Sequence, residues 1–316
     1  MEYIFLLSAC VFFSLQFIFQ KLFEKRTRGD IASSLWNQVV SCAVMFAFLL
    51  VKSRGAFDIN PHALMYSAFY SLSGIVCSAA SIIAMTCGKV SALGTCCLAG
   101  GMILPFVYGI FFLGEPSGAL KWIGMAVLCA SLVPALIEKN PTENSVKKEK
   151  SVSPKFVVCC LLVFFSNGLV SIFSKMHQIS PFAADENSFL LASSVIRIAI
   201  CLGAMLVLAF YSKSHGNSRV VRDTFVDIGK NGHTSGRMLA LLAVFSGAYA
   251  VMNTLGNIFS LRCMLTMDAS LQFPLLSAAV IVITALLGRV FFGEKITRST
   301  LVSLILSAAG IAIFML

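Results

Sequence analysis

The chain has 316 residues, 58% of them hydrophobic and 12% charged, with a mean hydropathy of +0.89. Soluble domains carry about 25% charged residues, so this composition excludes a water-soluble globular protein and requires lipid as part of the solvent. The net charge of +10 is spread between apolar runs rather than gathered on one face, so it predicts no nucleic-acid partner.

A helix that crosses a bilayer needs about 20 apolar residues, and ten such segments are predicted. The first, about 3–20, contains Gln16 and closes at Lys21. It has no basic n-region, so it reads as a span rather than a cleaved signal. The second, 31–51, opens with Trp36, Asn37 and Gln38, with Trp36 as an interfacial anchor. The third, 63–87, carries Tyr70 and the stretch SLSGIVCSAAS, whose small residues predict close helix approach. The fourth, 91–113, holds Gly100, Gly101 and Pro105; the fifth is 119–137. A polar, Pro-bearing run, KNPTENSVKKEKSVSPK, follows. The sixth, 156–174, contains Asn167 and ends at Lys175, and the seventh, 188–211, has Arg197 at its middle. The eighth, 238–260, includes YAVMNTLGNIF; the ninth, 267–290, includes Gln272 and Pro274; the tenth is 299–316. Ten-residue alternating segments, the mark of a β-barrel, are not the pattern here. An all-α integral membrane protein is predicted.

The chain is written twice. FFLGEP at Phe111–Pro116 returns as VFFGEK at Val290–Lys295. In the register that superposes Glu115 on Glu294, Tyr70 falls on Tyr249 and Met85 on Met264. Lys21, closing the first span, has a counterpart in Lys175, closing the sixth. This divides the chain into a first five-helix repeat, 1–139, a polar linker, 140–155, and a second repeat, 156–316. Five is odd, so the second copy must enter the membrane inverted, with a central cavity where the halves meet. Gly114 and Gly293 allow a tight turn into the fifth and tenth helices. Glu115 and Glu294 are then expected to cap the N-terminus of the helix that each precedes.

These features resemble the drug/metabolite transporter superfamily, in its EamA-like branch. The resemblance rests on ten spans in two repeats, the two Gly-Glu motifs, a basic residue closing spans one and six, and the stretches ILPF and QFPLLSAAVIVITALLGRVFFGEK. It implies alternating access, transport of small metabolites, often outward, and a cell (inner or plasma) membrane location. The family often shows Gly-x-Asn before the first closing Lys, where this chain has Gln16. The family usually places both termini in the cytoplasm. Here eighteen Lys and Arg lie in loops after odd spans and five in loops after even ones, which by the positive-inside rule places the termini outside.

Polar groups within lipid are costly and face a cavity or a partner. On that ground the expected substrate-binding residues are Arg197, the stripe Tyr249, Asn253 and Asn257 on one helix face, Tyr70, Gln272, Gln16 and Asn167. Pro105 and Pro274 remove a backbone N–H and free carbonyls toward the cavity. The competing role for the amides is interhelical hydrogen bonding, and for Arg197 a structural hold on backbone carbonyls. No Asp or Glu lies mid-span, which speaks against the buried carboxylate of proton-driven cation export. Arg197 favours a substrate with an acidic group.

Eleven cysteines sit mostly in apolar runs and are expected as small packing residues. The four histidines fall at segment margins, so no metal site, cofactor or catalytic group is predicted, and no enzyme. The expected function is a secondary transporter for a small polar metabolite, such as an amino acid or carboxylate, by export or exchange. The partners are that substrate and the lipid bilayer, with a monomer as the working unit. The alternatives are a multidrug exporter of the same fold and a non-transporting scaffold or receptor.

Overall fold

A computed structural model describes residues 2–27, 31–87, 90–137, 154–214, 236–293 and 296–316. The linker thus lies outside the described residues except at its end, as do Glu294, His215 and His233. Among the described residues the chain forms helices joined by short turns. The helices are α1 (Glu2–Glu24), α2 (Ile31–Lys52), α3 (Pro61–Cys87), α4 (Val90–Phe112), α5 (Ala119–Ile137), α6 (Pro154–Ile179), α7 (Glu186–Ser214), α8 (Gly236–Met264), α9 (Ala269–Phe292) and α10 (Arg298–Met315). Each coincides with one predicted segment.

Nine of these helices are long and apolar enough to cross a membrane. The exception is α5, whose apolar stretch Ala119–Pro134 is shorter. The outer surface is apolar: Leu7, Leu72, Leu161, Leu206, Val244 and Ile305 are all exposed. In water such a belt would drive aggregation; against lipid tails it costs nothing. This is the build of a multi-pass membrane protein.

The helices pack in a definite set of pairs. The most extensive are α1 with α8, α3 with α6, α5 with α10, α4 with α6, α2 with α7 and α1 with α9. Two glycines set the closest of these approaches. A Cβ on Gly100 would run into the backbone of Phe164, and one on Gly168 would lie 2.7 Å from the Gly100 carbonyl oxygen. The backbones of α4 and α6 therefore touch, as small residues permit in a membrane, where no hydrophobic force draws helices together. The serines of α3 act similarly. Ser67 donates to the Phe189 carbonyl (3.1 Å) and Ser71 to the Ser193 carbonyl (3.0 Å), so successive turns of α3 are pinned to successive turns of α7.

The two Gly-Glu turns form as expected in backbone and differently in side chain. Gly114 and Gly293 have φ of 68° and 64°, the left-handed region that glycine enters without penalty. The expected partner of Glu115, however, was wrong. Its carboxylate caps α9, not α5, accepting from the backbone nitrogens of Ala269 and Ser270, each at 2.7 Å. Glycine at 109 leaves room for it, since a Cβ there would collide with Glu115 Oε2. Asp268, in the N-cap position of α9, makes no capping bond of its own. It binds Lys121 instead (3.2 Å).

Lys175 also differs from its sequence placement at a span end. It is buried within α6 and donates to the carbonyl oxygens of Met264 and Met267, each at 2.7 Å. A cation on the carbonyl that ends α8 and on one in the connection after it satisfies groups that no further helical turn can reach. The short connection from α8 to α9 is thus held from both sides: Lys175 on the end of one helix, Glu115 on the start of the next.

Candidate functional site

A cavity of about 340 Å³ opens at the centre of the bundle, lined by residues of α1, α2, α3, α4, α6, α7, α8 and α9. Among the described residues, α5 and α10 contribute nothing to it. Its size is that of a small-ligand site, for which about 300–1,000 Å³ is usual.

One wall is a relay of amides. Tyr70 donates through its hydroxyl to Asn257 Oδ1 (3.1 Å). Asn257 donates through Nδ2 to the carbonyl oxygen and Oδ1 of Asn253, each at 2.8 Å. Asn253 in turn donates to Gln16 Oε1 (2.7 Å). The spacing of Asn253 and Asn257, one helical turn apart, makes this possible. The chain of bonds runs from α3 through α8 to α1, and it mixes helices from both ends of the sequence.

Arg197 adjoins the Tyr70 end of this relay. It lies near the middle of the apolar span Glu186–Val207. Its guanidinium carbon sits 4.7 Å from the centre of the Tyr70 ring, within range of a cation–π attraction. The guanidinium also rests on α3 where Gly74 leaves a gap; a Cβ there would meet Nη2 at 2.7 Å. The two serine bonds from α3 to α7 set the register that brings Gly74 beneath Arg197. Its Nε is buried with no hydrogen-bond partner. Among the described residues the ion pairs are Lys121–Asp268 and Arg262–Glu186, so no carboxylate answers Arg197. The other described lining residues are neutral.

Seven of the eight residues expected to bind substrate line this cavity: Arg197, Tyr249, Asn253, Asn257, Tyr70, Gln16 and Asn167. The amides are also engaged with other helices, so the two roles set against each other on sequence grounds coexist. Asn167 lines the cavity while donating to the Cys97 carbonyl (2.7 Å). Gln272 is the one that does not reach it. It is fully buried and donates to the carbonyl and hydroxyl oxygens of Ser260 (2.8 and 3.3 Å). The reason is rotational: Phe273, Leu276 and Ser277 carry the cavity face of α9, and 272 falls off that stripe. Pro105 does face usefully. Without its N–H, the carbonyl of Gly101, a lining residue, receives no bond from one turn on. The carbonyl freed by Pro274 belongs to Ser270, which is not a lining residue.

Sequence reasoning missed Gln38, Ser41, Cys42 and Gly74, which also line the cavity. For Gly74 a signal existed. In the repeat register it stands opposite Asn253, so one copy offers a gap where the other offers an amide. His177, expected at a segment margin, does lie in the last turn of α6, and its ring is fully buried there, stacked on Phe189 at 4.3 Å and 6.0 Å from His62. Among the described residues no three His, Cys, Asp or Glu side chains gather as metal ligands. Ten of the eleven cysteines are free thiols, and several pack in the apolar contact between α3, α4 and α6.

No family model matches the chain, and no curated protein matches it. Solved structures do. One, described only as "Crystal structure of protein", has a TM-score of 0.65 and 14% sequence identity, covering 99% of this chain and 95% of that one. At that identity the likeness shows a shared fold and nothing of function.

Proposed function

We propose that this chain is a secondary carrier of the drug/metabolite transporter type, moving a small polar metabolite across a cell membrane by alternating access. The observation that carries the reading is the cavity itself. Eight helices surround it, a continuous hydrogen-bond relay runs along one wall, and its one formal charge among the described residues is Arg197. A structural scaffold has no use for a ligand-sized polar chamber at membrane depth, where each uncompensated polar group is costly.

The proposed inverted repeat has its own support in the packing. Exchange each helix with the one five places on, and the main contacts map onto one another. The pair α1–α8 becomes α6–α3, α4–α6 becomes α9–α1, and α2–α7 and α5–α10 return to themselves. The two helices that miss the cavity, α5 and α10, are also exchanged. Duplicated units around a pseudo-two-fold axis place the substrate at the interface of the halves, where the relay crosses from α8 to α1.

The lone guanidinium favours substrates that carry a carboxylate or phosphate, which its planar fork can bind through two parallel bonds. A lipophilic cation would meet like charge, so the multidrug alternative is disfavoured. The test is thermal stabilisation of the purified protein by a panel of amino acids, carboxylates, sugar phosphates, amines and lipophilic cations. A ligand preferring the folded state raises the melting temperature by mass action. Acidic compounds should stabilise the wild type and not a folded Arg197→Ala variant. Stabilisation by lipophilic cations alone, equal in both proteins, would overturn the substrate assignment.

A further inference from the structure

We infer that the carrier is a coupled anion exchanger: it crosses between its two open states quickly with an anion on Arg197 and slowly when empty. This deepens the carrier reading above and rests on it.

The argument starts from charge. Arg197 is the one formally charged residue among the described cavity lining, and no carboxylate pairs with it. The other buried cation, Lys175, is fixed to the carbonyls of Met264 and Met267 and lies off the cavity. The neutral contacts of Arg197 satisfy it only in part, and none of them brings a counter-charge. The Tyr70 ring is 4.7 Å away, the glycine at 74 offers space and no acceptor, and Nε has no partner. While the cavity is open to water the guanidinium is hydrated. Alternating access must pass through a state closed on both sides, in which most of that water is gone.

An unpaired ion in a dry interior is costly, and a well-placed counter-ion offsets much of that cost. Every 1.4 kcal/mol in a barrier is tenfold in rate. The empty carrier closes on a cation with no counter-ion at mid-membrane, whereas the loaded carrier closes on a neutral pair. The loaded step is therefore at least tenfold faster, and one anion leaves as another enters. The lining also holds no carboxylate among the described residues, so it supplies no group to be protonated in the anion's place on the return. Gly74 is a positioning residue in this scheme: its missing side chain is the space in which the guanidinium lies.

The test uses purified full-length protein in proteoliposomes, with valinomycin and equal potassium on both sides so that no voltage builds up. Radiolabelled uptake is measured for inorganic phosphate, succinate, L-glutamate and glycerol 3-phosphate, into vesicles preloaded with the same compound or free of it. Glucose and tetraphenylphosphonium are run in parallel as neutral and cationic probes. The expected result is uptake of at least one anion, at least tenfold faster into preloaded vesicles. Arg197→Gln, shown folded by its elution and circular dichroism, should abolish that stimulated uptake. Gly74→Ala should weaken it severalfold.

Anion uptake that is as fast into anion-free vesicles overturns the exchange inference and leaves the carrier reading standing. So does uptake of glucose or tetraphenylphosphonium with none of the anions. Stimulated uptake that survives in Arg197→Gln also overturns it, because the charge argued from would then be irrelevant. If no probe moves at all, both the inference and the carrier reading fail.

Discussion

Glu115 sits at the start of α9, its carboxylate oxygen 2.7 Å from the backbone nitrogen of Ser270, which follows it by 155 residues. A second oxygen takes the nitrogen of Ala269 at the same distance. The residue that ends the turn after α4 thus closes the N-terminus of a helix near the other end of the chain. A helix beginning in a poorly solvated region cannot leave its first N–H groups to water, and a carboxylate there also meets the positive end of the helix dipole.

Glu115→Ala should therefore destabilise the protein by about 2 kcal/mol, from two charge-assisted bonds lost in a partly buried position. Glu115→Gln should lose about half as much, because its single carbonyl oxygen replaces one acceptor of two. Thermal unfolding in a mild detergent reads both. A melting temperature unchanged in Glu115→Ala would show that water caps α9 equally well.

The contact between α4 and α6 separates two kinds of glycine. Gly100→Ala must push the Phe164 backbone aside, an overpacking cost of about 1–3 kcal/mol. Gly247 lies in α8 with open space where its Cβ would be. There alanine should stabilise by up to about 1 kcal/mol, through a less flexible unfolded chain and better helix propensity. Paired melting curves check the opposite signs.

The amide relay is measurable by a double-mutant cycle on Gln16→Ala and Asn253→Ala. A single interhelical hydrogen bond in a membrane couples by about 0.6 kcal/mol, and the same size is expected here. A coupling of zero would mean that the two amides act independently despite the 2.7 Å contact.

Tyr70 makes two separable contributions. Tyr70→Phe removes the bond to Asn257 (3.1 Å) and keeps the ring beside Arg197, at a cost of about 1 kcal/mol. Tyr70→Ala also removes the cation–π contact and the packing on Phe189, so it should cost about 3–5 kcal/mol. For binding of an acidic ligand, measured by titration calorimetry, the phenylalanine variant should stay within about threefold of wild type, since the guanidinium keeps its seat. A tenfold loss in that variant would place the hydroxyl itself on the ligand.

The end of α8 gives a last case. Lys175→Met leaves two carbonyls without their donor and removes a buried charge at the same time. The two effects oppose, because deleting both the ion and its desolvation cost is less harmful than stranding one partner. Lys175→Met should lower stability by about 1–2 kcal/mol, and Lys175→Ala, which also leaves a void, by about a further 1–2 kcal/mol. Melting curves of the two variants side by side distinguish charge from volume.

The ten helices were legible in the sequence because each is a long apolar run, and lipid leaves such a run one stable backbone conformation. The left-handed turns at Gly114 and Gly293 were legible for a similarly local reason: only glycine reaches that φ freely. So was the pairing of Asn253 with Asn257, because helical spacing alone places them on one face. Which helix faces which was a different matter. The cap that Glu115 supplies to α9, the exclusion of Gln272 from the cavity, the burial of His177 and the seat of Arg197 over Gly74 all depend on how helices are rotated against partners far away in sequence. An apolar helix has no amphipathic stripe to fix that rotation. It is decided by close contacts such as Gly100 against Phe164 and by hydrogen bonds such as Ser71 to Ser193, which exist only once the bundle has formed.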